Sequence, residues 1–237
     1  WVDDFINSCP PVEFYVGMAP PFFYFLNNYV ADIEFWSNRD ESDHDMWDMQ
    51  IGAQDVDYSS GSRTGAISVE MLEEYVNFVI IGHSERREFF HEDNDLIRKK
   101  IHAVNESTLM PILCIGETKE ENDKGITKDV LKDQLEIVNA IDLDESFTVA
   151  YEPVWAIGSG ITPEPKDINE IQKYIKDVVQ SNSANNLIPK VLYGGSVTDK
   201  NAESFFVEEF VDGALVGGAS LDGSTFAKIV NIFNSTK

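Results

Sequence analysis

Residues 148–160 read TVAYEPVWAIGSG. A short apolar run, 148–151, ends in a carboxylate, Glu152, and passes through Pro153 into a loop bounded by Gly158, Ser159 and Gly160. The next stretch, 167–180, places Ile168, Ile171, Tyr174, Ile175, Val178 and Val179 at helical spacing on one face. That spacing predicts a helix, with Thr162 and Pro163 as its start, because proline loses nothing at the first helical position. A buried strand, a polar turn and an amphipathic helix make one unit of an α/β fold.

The same unit recurs on both sides. Residues 12–18, 50–54, 78–81, 112–115, 148–151, 191–193 and 214–216 read as buried strands. Segments 96–104 and 128–140 carry apolar residues at helical spacing between them. Repeated alternation implies parallel strands with right-handed crossovers. A doubly wound open sheet and a closed eight-stranded barrel both satisfy it. In either, sites are built at the C-terminal edge of the strands. Glycines and polar residues cluster there: Gly82-His83-Ser84-Glu85, Gly116-Glu117-Thr118, Glu152-Pro153, Gly194-Gly195-Ser196 and Gly217-Gly218. Only seven strands are visible, and residues 1–8 read as the end of a helix entering the strand at 12–18. A closed barrel would therefore need a further strand and most of a helix ahead of residue 1. The whole of 1–237 reads as a single domain.

Composition excludes several classes. With 43% hydrophobic residues the 237-residue chain can bury a real core, so disorder is not expected. Two cysteines, Cys9 and Cys114, cannot form a disulfide scaffold or a four-ligand zinc site. They suit a reducing compartment, and a cytoplasmic location is the expectation. No apolar run is long enough to span a membrane, and no targeting segment is readable ahead of the strands. Lys plus Arg is 18 against 42 Asp plus Glu, a formal charge of −24. No basic stripe exists to displace counterions, so neither nucleic acid nor an anionic membrane is an expected partner. Residues 1–62 hold twelve acids and one base, Arg39, and the first lysine is Lys99. Such a field repels anions at long range, so any anion site must be built locally from backbone N–H groups. The stretch 37–48, SNRDESDHDMWD, lacks periodicity and reads as an acidic, solvated surface insertion. No metal site is expected, there or elsewhere.

Three groups could do chemistry. Glu152 ends a strand beside apolar Val154, Trp155 and Ile157. Closure of that loop would strip water from it, which suits a general base working near neutral pH. A plain surface Glu at a strand end is the alternative. His83 follows the strand at 78–81, and Ser84-Glu85-Arg86-Arg87 could open a helix behind it. First-turn N–H groups would lower the imidazole pKa and keep it neutral, able to donate one N–H to a carbonyl oxygen. A structural hydrogen-bonding His is the alternative. Gly194-Gly195-Ser196 and Gly217-Gly218 let backbone N–H groups approach an oxyanion. Two such sites on the last two strands match the phosphate arrangement of a (β/α)8 barrel. Cys114 reads as a packed, unreactive thiol, and Arg86, Arg87 and Glu117 as ion-pair and loop-holding residues.

The strings GHSERR (82–87), CIGET (114–118), AYEPVWAIG (150–158), YGGSV (193–197) and LVGGASL (215–221) together resemble the triosephosphate isomerase family. The resemblance runs from about residue 12 to the C-terminus, apart from the acidic insertion. It implies a (β/α)8 TIM barrel, here without its first strand and most of its first helix. It implies interconversion of dihydroxyacetone phosphate and D-glyceraldehyde 3-phosphate through an enediolate, in glycolysis and gluconeogenesis, with no cofactor and no metal. By position, Glu152 resembles the base that shuttles the proton, and His83 the electrophile that polarises the carbonyl. Gly158, Ser196, Gly217 and Gly218 resemble the backbone donors to the substrate phosphate. Ser84 and Glu85 fall where the family holds its resting base and its supporting electrostatics. The region 57–64 resembles the loop that docks into a second subunit, implying a homodimer with Thr64 near the neighbour's site.

Departures from the family pattern are few. Its first strand ends in Asn-x-Lys, which nothing in residues 1–11 matches. Lacking that cation, the chain 1–237 is expected to lose several kcal/mol of transition-state stabilisation and to be inactive; lacking that strand, two neighbouring strands would have bare edges, and the chain is expected to be poorly soluble. Asp55 stands where the family usually has Asn, Ala66 where it has Glu, and Ser159 where Thr is commoner. Alternatives to the isomerase are a catalytically inactive barrel relative serving as a binding or structural protein, and a different phosphate-binding barrel isomerase.

Overall fold

The computed structural model describes residues 4, 8, 13–18, 48–61 and 63–237. The acidic stretch 37–48 lies outside the described residues except for Asp48, and so does the expected helix end at 1–8 except for Asp4 and Ser8. Seven parallel strands pair in chain order: β1 (Glu13–Met18), β2 (Asp48–Ala53), β3 (Phe78–Ile81), β4 (Met110–Ile115), β5 (Thr148–Tyr151), β6 (Lys190–Tyr193) and β7 (Gly213–Ala214). The helices are α1 (Val69–Leu72), α2 (Ser84–Phe89), α3 (Asn94–Asn105), α4 (Lys119–Asp123), α5 (Thr127–Leu135), α6 (Pro165–Asn182), α7 (Ala202–Phe206) and α8 (Gly223–Thr236).

Strand order decides between the two architectures that alternation leaves open. A doubly wound sheet reverses its order at a switch point. Here each strand pairs with the next in the chain, from β1 to β7, with no reversal. Among the described residues β1 and β7 are not paired with each other, so the sheet is a partly wound barrel.

Strands β3, β4 and β5 bury both faces, as parallel strands do. Val79, Ile81, Leu113, Ile115, Val149, Tyr151, Val191 and Tyr193 point to the helix layer and join one large core. In α3, Ile97, Ile101 and Val104 are fully buried against it, worth about 1.5–3 kcal/mol each. Asp93 caps α3 by accepting from Leu96 N–H at 2.8 Å, a bond worth ~1 kcal/mol. The alternate residues Phe78, Ile80, Ile112, Cys114 and Ala150, with Leu192, form a second, smaller core on the opposite face. This is the barrel interior. Cys114 is fully buried there, and burial drives its thiol pKa well up, so it is the inert thiol expected.

Period-2 alternation now fixes the site. The interior rows 78, 80; 112, 114; 148, 150; and 190, 192 each run on by one step, to Gly82, Gly116, Glu152 and Gly194. Register sets Cys114 beside Ala150 and Ala150 beside Leu192. One step further, Glu152 lies between Gly116 and Gly194. The chain therefore places one carboxylate in a row of glycines at the C-terminal edge.

Some boundaries differ from the sequence reading. The helix read over 167–180 begins at Pro165, not at Thr162-Pro163. Pro165 forces Glu164 into extended backbone, with ψ 131°, so no helix can run through 164. The helix read over 128–140 ends at Leu135 and tightens into a 3-10 turn, Glu136–Val138. The strand read at 214–216 is Gly213–Ala214, because its partner β6 ends opposite Ala214 at Tyr193.

Candidate active site

Glu152 is 2% exposed although it ends a strand. The flanking glycines explain how it fits. A Cβ on Gly116 would stand 1.7 Å from the Glu152 carbonyl oxygen, and one on Gly194 would stand 2.6 Å from its Cγ. Gly116 meets main chain and admits no larger residue, whereas at Gly194 a larger residue would displace the Glu152 side chain. Main-chain bonds Glu152 N–H to Ile115 C=O and Gly194 N–H to Tyr151 C=O, both 2.8 Å, continue the sheet on either side. Gly194 was read as part of an anion site. Its amide is engaged in the sheet, and its role is to leave room for Glu152.

His83 meets this carboxylate directly. Nε2 stands 3.1 Å from Glu152 Oε1, and Ser84 N–H donates to Oε2 at 3.3 Å. The imidazole is itself the N-cap of α2, its Nδ1 accepting from Glu85 N–H at 3.3 Å. With Nδ1 an acceptor, Nε2 carries the proton, which is the pattern of a neutral ring. Gly82, at φ +73°, makes the left-handed turn that aims this ring. The pKa expectation needs correcting. The hydrogen bond to Glu152 raises the His83 pKa above its ordinary 6.5 and outweighs burial. The helix N-terminus was expected to lower it, but the nearer, full charge of Glu152 dominates. Glu85 contributes through its main chain, and its side chain is exposed.

Glu117, one residue beyond Gly116, is 1% exposed. It accepts from Trp155 Nε1 at 2.8 Å and from Tyr151 Oη at 3.1 Å, and burial raises its pKa. Its carbonyl accepts from Val154 N–H at 3.0 Å. The start of the loop after Glu152 is thereby fixed, as loop-holding residues should fix it. Ser196 Oγ donates to Ala156 C=O at 2.7 Å and ties the loop to the end of β6. Beyond it Gly158 and Gly160 take φ of +61° and +72°, and residues 158–161 are exposed.

Gly217 and Gly218 are exposed after β7, where Gly218–Leu221 forms a 3-10 turn. All strands being parallel, Glu152, His83, Ser196 and this turn share one edge of the sheet. The structure brings Glu152, His83 and Ser84 into direct contact, and Ser196 reaches them through the loop. Asp55, at the end of β2, pairs with Lys100 at 2.5 Å and Arg86 at 2.7 Å, while Glu92 also takes both bases. Arg86 is thus the ion-pair residue expected, whereas its partners Asp55 and Glu92, the Lys100 that shares them and the crowding role of the two glycines lie outside the sequence reading. Counting alternation past the strand ends would have found the glycines.

Among the described residues no three of His, Cys, Asp and Glu converge as metal ligands. No helix among them is long and apolar enough to cross a membrane. A groove of about 400 Å³, lined by Arg98, His102, Asn105, Glu106 and residues 139–142, lies between α3 and the loop after α5 and shares no residue with the site.

A family model described as triosephosphate isomerase matches residues 31–233. Triosephosphate isomerase of Chlamydia felis is 43% identical over 237 aligned positions, covering 97% of this chain and 88% of that protein. The proteins of the same name from Aquifex aeolicus and Legionella pneumophila are 44% and 42% identical, each over 78% of this chain and 77% and 76% of their own lengths.

Proposed function

The chain belongs to the triosephosphate isomerase family, and from this premise we propose that Glu152 and His83 carry its proton transfers. It is an intramolecular isomerase. Glu152 takes a proton from the carbon next to the carbonyl of dihydroxyacetone phosphate. The C–H electrons form the enediolate double bond, and the carbonyl electrons move to oxygen, which His83 Nε2–H stabilises. His83 Nε2 gives its proton to that oxygen and takes the proton of the hydroxyl on the adjacent carbon, whose O–H electrons move toward a new carbonyl. Glu152 then returns its proton to the former carbonyl carbon as the double bond shifts, giving D-glyceraldehyde 3-phosphate. The observation that carries this reading is the 3.1 Å contact between His83 Nε2 and the buried Glu152 carboxylate. Each group is held from behind, His83 by Glu85 N–H and Glu152 by Ser84 N–H.

Main-chain N–H groups of Gly158, Ser196, Gly217 and Gly218 hold the substrate phosphate, with the exposed 158–161 segment closing over it. No cofactor or metal takes part. The chain forms one domain and works in the cytoplasm as a homodimer. The loop 57–64 supports the dimer, being shaped from within by Asp57, which accepts from Ser59 N–H at 3.0 Å and pairs with Arg63 at 3.3 Å, while Thr64 stays exposed. Phe89 and Phe90, 65% and 61% exposed beside Arg86, add apolar surface that a partner would cover.

The test is turnover in heavy water. The full protein should interconvert the two triose phosphates and exchange solvent deuterium into the transferred position. Glu152→Gln should abolish both. A folded full protein that does neither is the inactive barrel relative, and the reading falls.

A further inference from the structure

Helix α2 carries two consecutive arginines in opposite surroundings. Arg86 is held by carboxylates, bound to Asp55 and Glu92 at 2.7 Å each, with its guanidinium 3.9 Å above the Phe90 ring. Arg87 turns inward. Its Nε donates to Gly82 C=O at 2.8 Å, its Nη2 to Cys114 C=O at 3.2 Å, and its Nη1 to Asn94 Oδ1 at 2.9 Å. All three partners are neutral oxygens, and among the described residues no carboxylate stands within ion-pair distance of this guanidinium. A partly buried cation with no carboxylate in contact is costly, so its placement calls for an account.

The account lies in what it holds. Gly82 immediately precedes His83 and makes the left-handed turn that aims the imidazole. A Cβ on Gly82 would stand 3.3 Å from Arg87 Nη2 and 3.0 Å from Ile97 Cδ1, so Arg87 and Ile97 close the space under that turn. Cys114 pairs in register with Ala150, two residues before Glu152. One edge of the guanidinium thus spans the two strand ends that carry His83 and flank Glu152. The groups facing it are Gly82 from β3, Cys114 from β4, Asn94 and Glu92 at the start of α3, Asp133 from α5, and Glu152 beyond β5. Burial lowers its pKa, while Glu152, Glu92 and Asp133 act in the opposite sense.

We infer that Arg87 is a positioning residue for the proton-transfer pair: its fork fixes the Gly82 and Cys114 carbonyls, and with them the strand ends that carry His83 and flank Glu152. This rests on Glu152 and His83 being that pair. Arginine is needed because lysine has the charge without the planar fork.

The unmodified full protein is assayed first, and absence of isomerisation there sinks the parent reading rather than this one. Arg87→Lys and Arg87→Gln are then compared, with thermal unfolding to establish that each folds. Arg87→Lys keeps the charge and loses the fork, so kcat should fall about tenfold with KM within about twofold. Arg87→Gln should show the same fall. If Arg87→Gln does not fold, the Lys variant decides alone. A folded variant of either kind with unchanged kcat overturns the inference. So does a rise in KM alone.

Discussion

The two walls of the site are built by opposite rules. The wall from β3 to β5 is crowded: the Glu152 side chain is 3% exposed, contacts His83 and Ser84, and leaves no room for a Cβ on Gly116 or Gly194. The wall from β6 to β7 and the loop is open. Gly158, Gly217 and Gly218 are exposed, and a Cβ at any of them would meet nothing within 4 Å. The difference follows from the two tasks. Proton transfer depends steeply on distance and must be fixed before substrate arrives. A dianion held by main-chain amides, the role proposed for this wall, needs access, and exposed glycines leave it.

The largest effect should come from shortening the crowded wall's key side chain. Glu152→Asp withdraws the carboxylate by one methylene from both His83 and the substrate carbon. A misplacement of about 1 Å can lower the rate by about 10²-fold, so kcat should fall on that order while thermal unfolding changes little. Steady-state kinetics beside a melting curve checks this. Unchanged kcat would remove Glu152 from the mechanism and erase the contrast between the walls.

That contrast was only half legible in the chain. Glu152 and His83 announce themselves, because each ends a strand beside a distinctive string, and parallel strands bring strand ends to one edge. The continuous apolar runs 78–81, 112–115 and 148–151 carried the core strands. What could not be read depends on neighbours distant in sequence. The direction of the His83 shift is set by Glu152, 69 positions away. Whether the Gly194 amide faces an anion or a strand depends on Tyr151. Arg87 looked like a loop-holding residue, and only its carbonyl partners distinguish it from Arg86. The start of α6 was readable in principle, since Pro165 excludes Glu164 from a helix, but Pro163 offered the same signal two residues earlier.

A smaller effect should separate the walls by one methyl group. In Gly194→Ala the new Cβ stands 2.6 Å from Glu152 Cγ, so the carboxylate must move. We expect kcat to fall by about tenfold, with KM nearly unchanged and a lower melting temperature. In Gly218→Ala the Cβ meets nothing within 4 Å, and the residue starts a 3-10 turn at which alanine is permitted. The melting temperature should hold, and any loss should appear in KM, because only the approach of an anion is hindered. The reverse split, with kcat lost at 218 and KM at 194, would exchange the roles assigned to the two walls.

The smallest effect concerns stability rather than rate. His83 has its pKa raised above 6.5 in the folded protein by Glu152. In the window between 6.5 and that raised value the folded state binds more protons than the unfolded state, so stability must fall as pH rises. The contribution of the pair is fully present below pH 6.5 and is lost as pH climbs through the folded-state pKa. One proton corresponds to at most about 1.4 kcal/mol per pH unit, and the real slope should be smaller because the His83 side chain is 28% exposed and screened by water. Urea unfolding of the unmodified protein and of His83→Gln across this window measures the difference. The variant should lose that part of the slope and keep the rest of the profile. If both proteins keep the same slope, the imidazole is uncoupled from the carboxylate, and the crowded wall is rigid by packing alone.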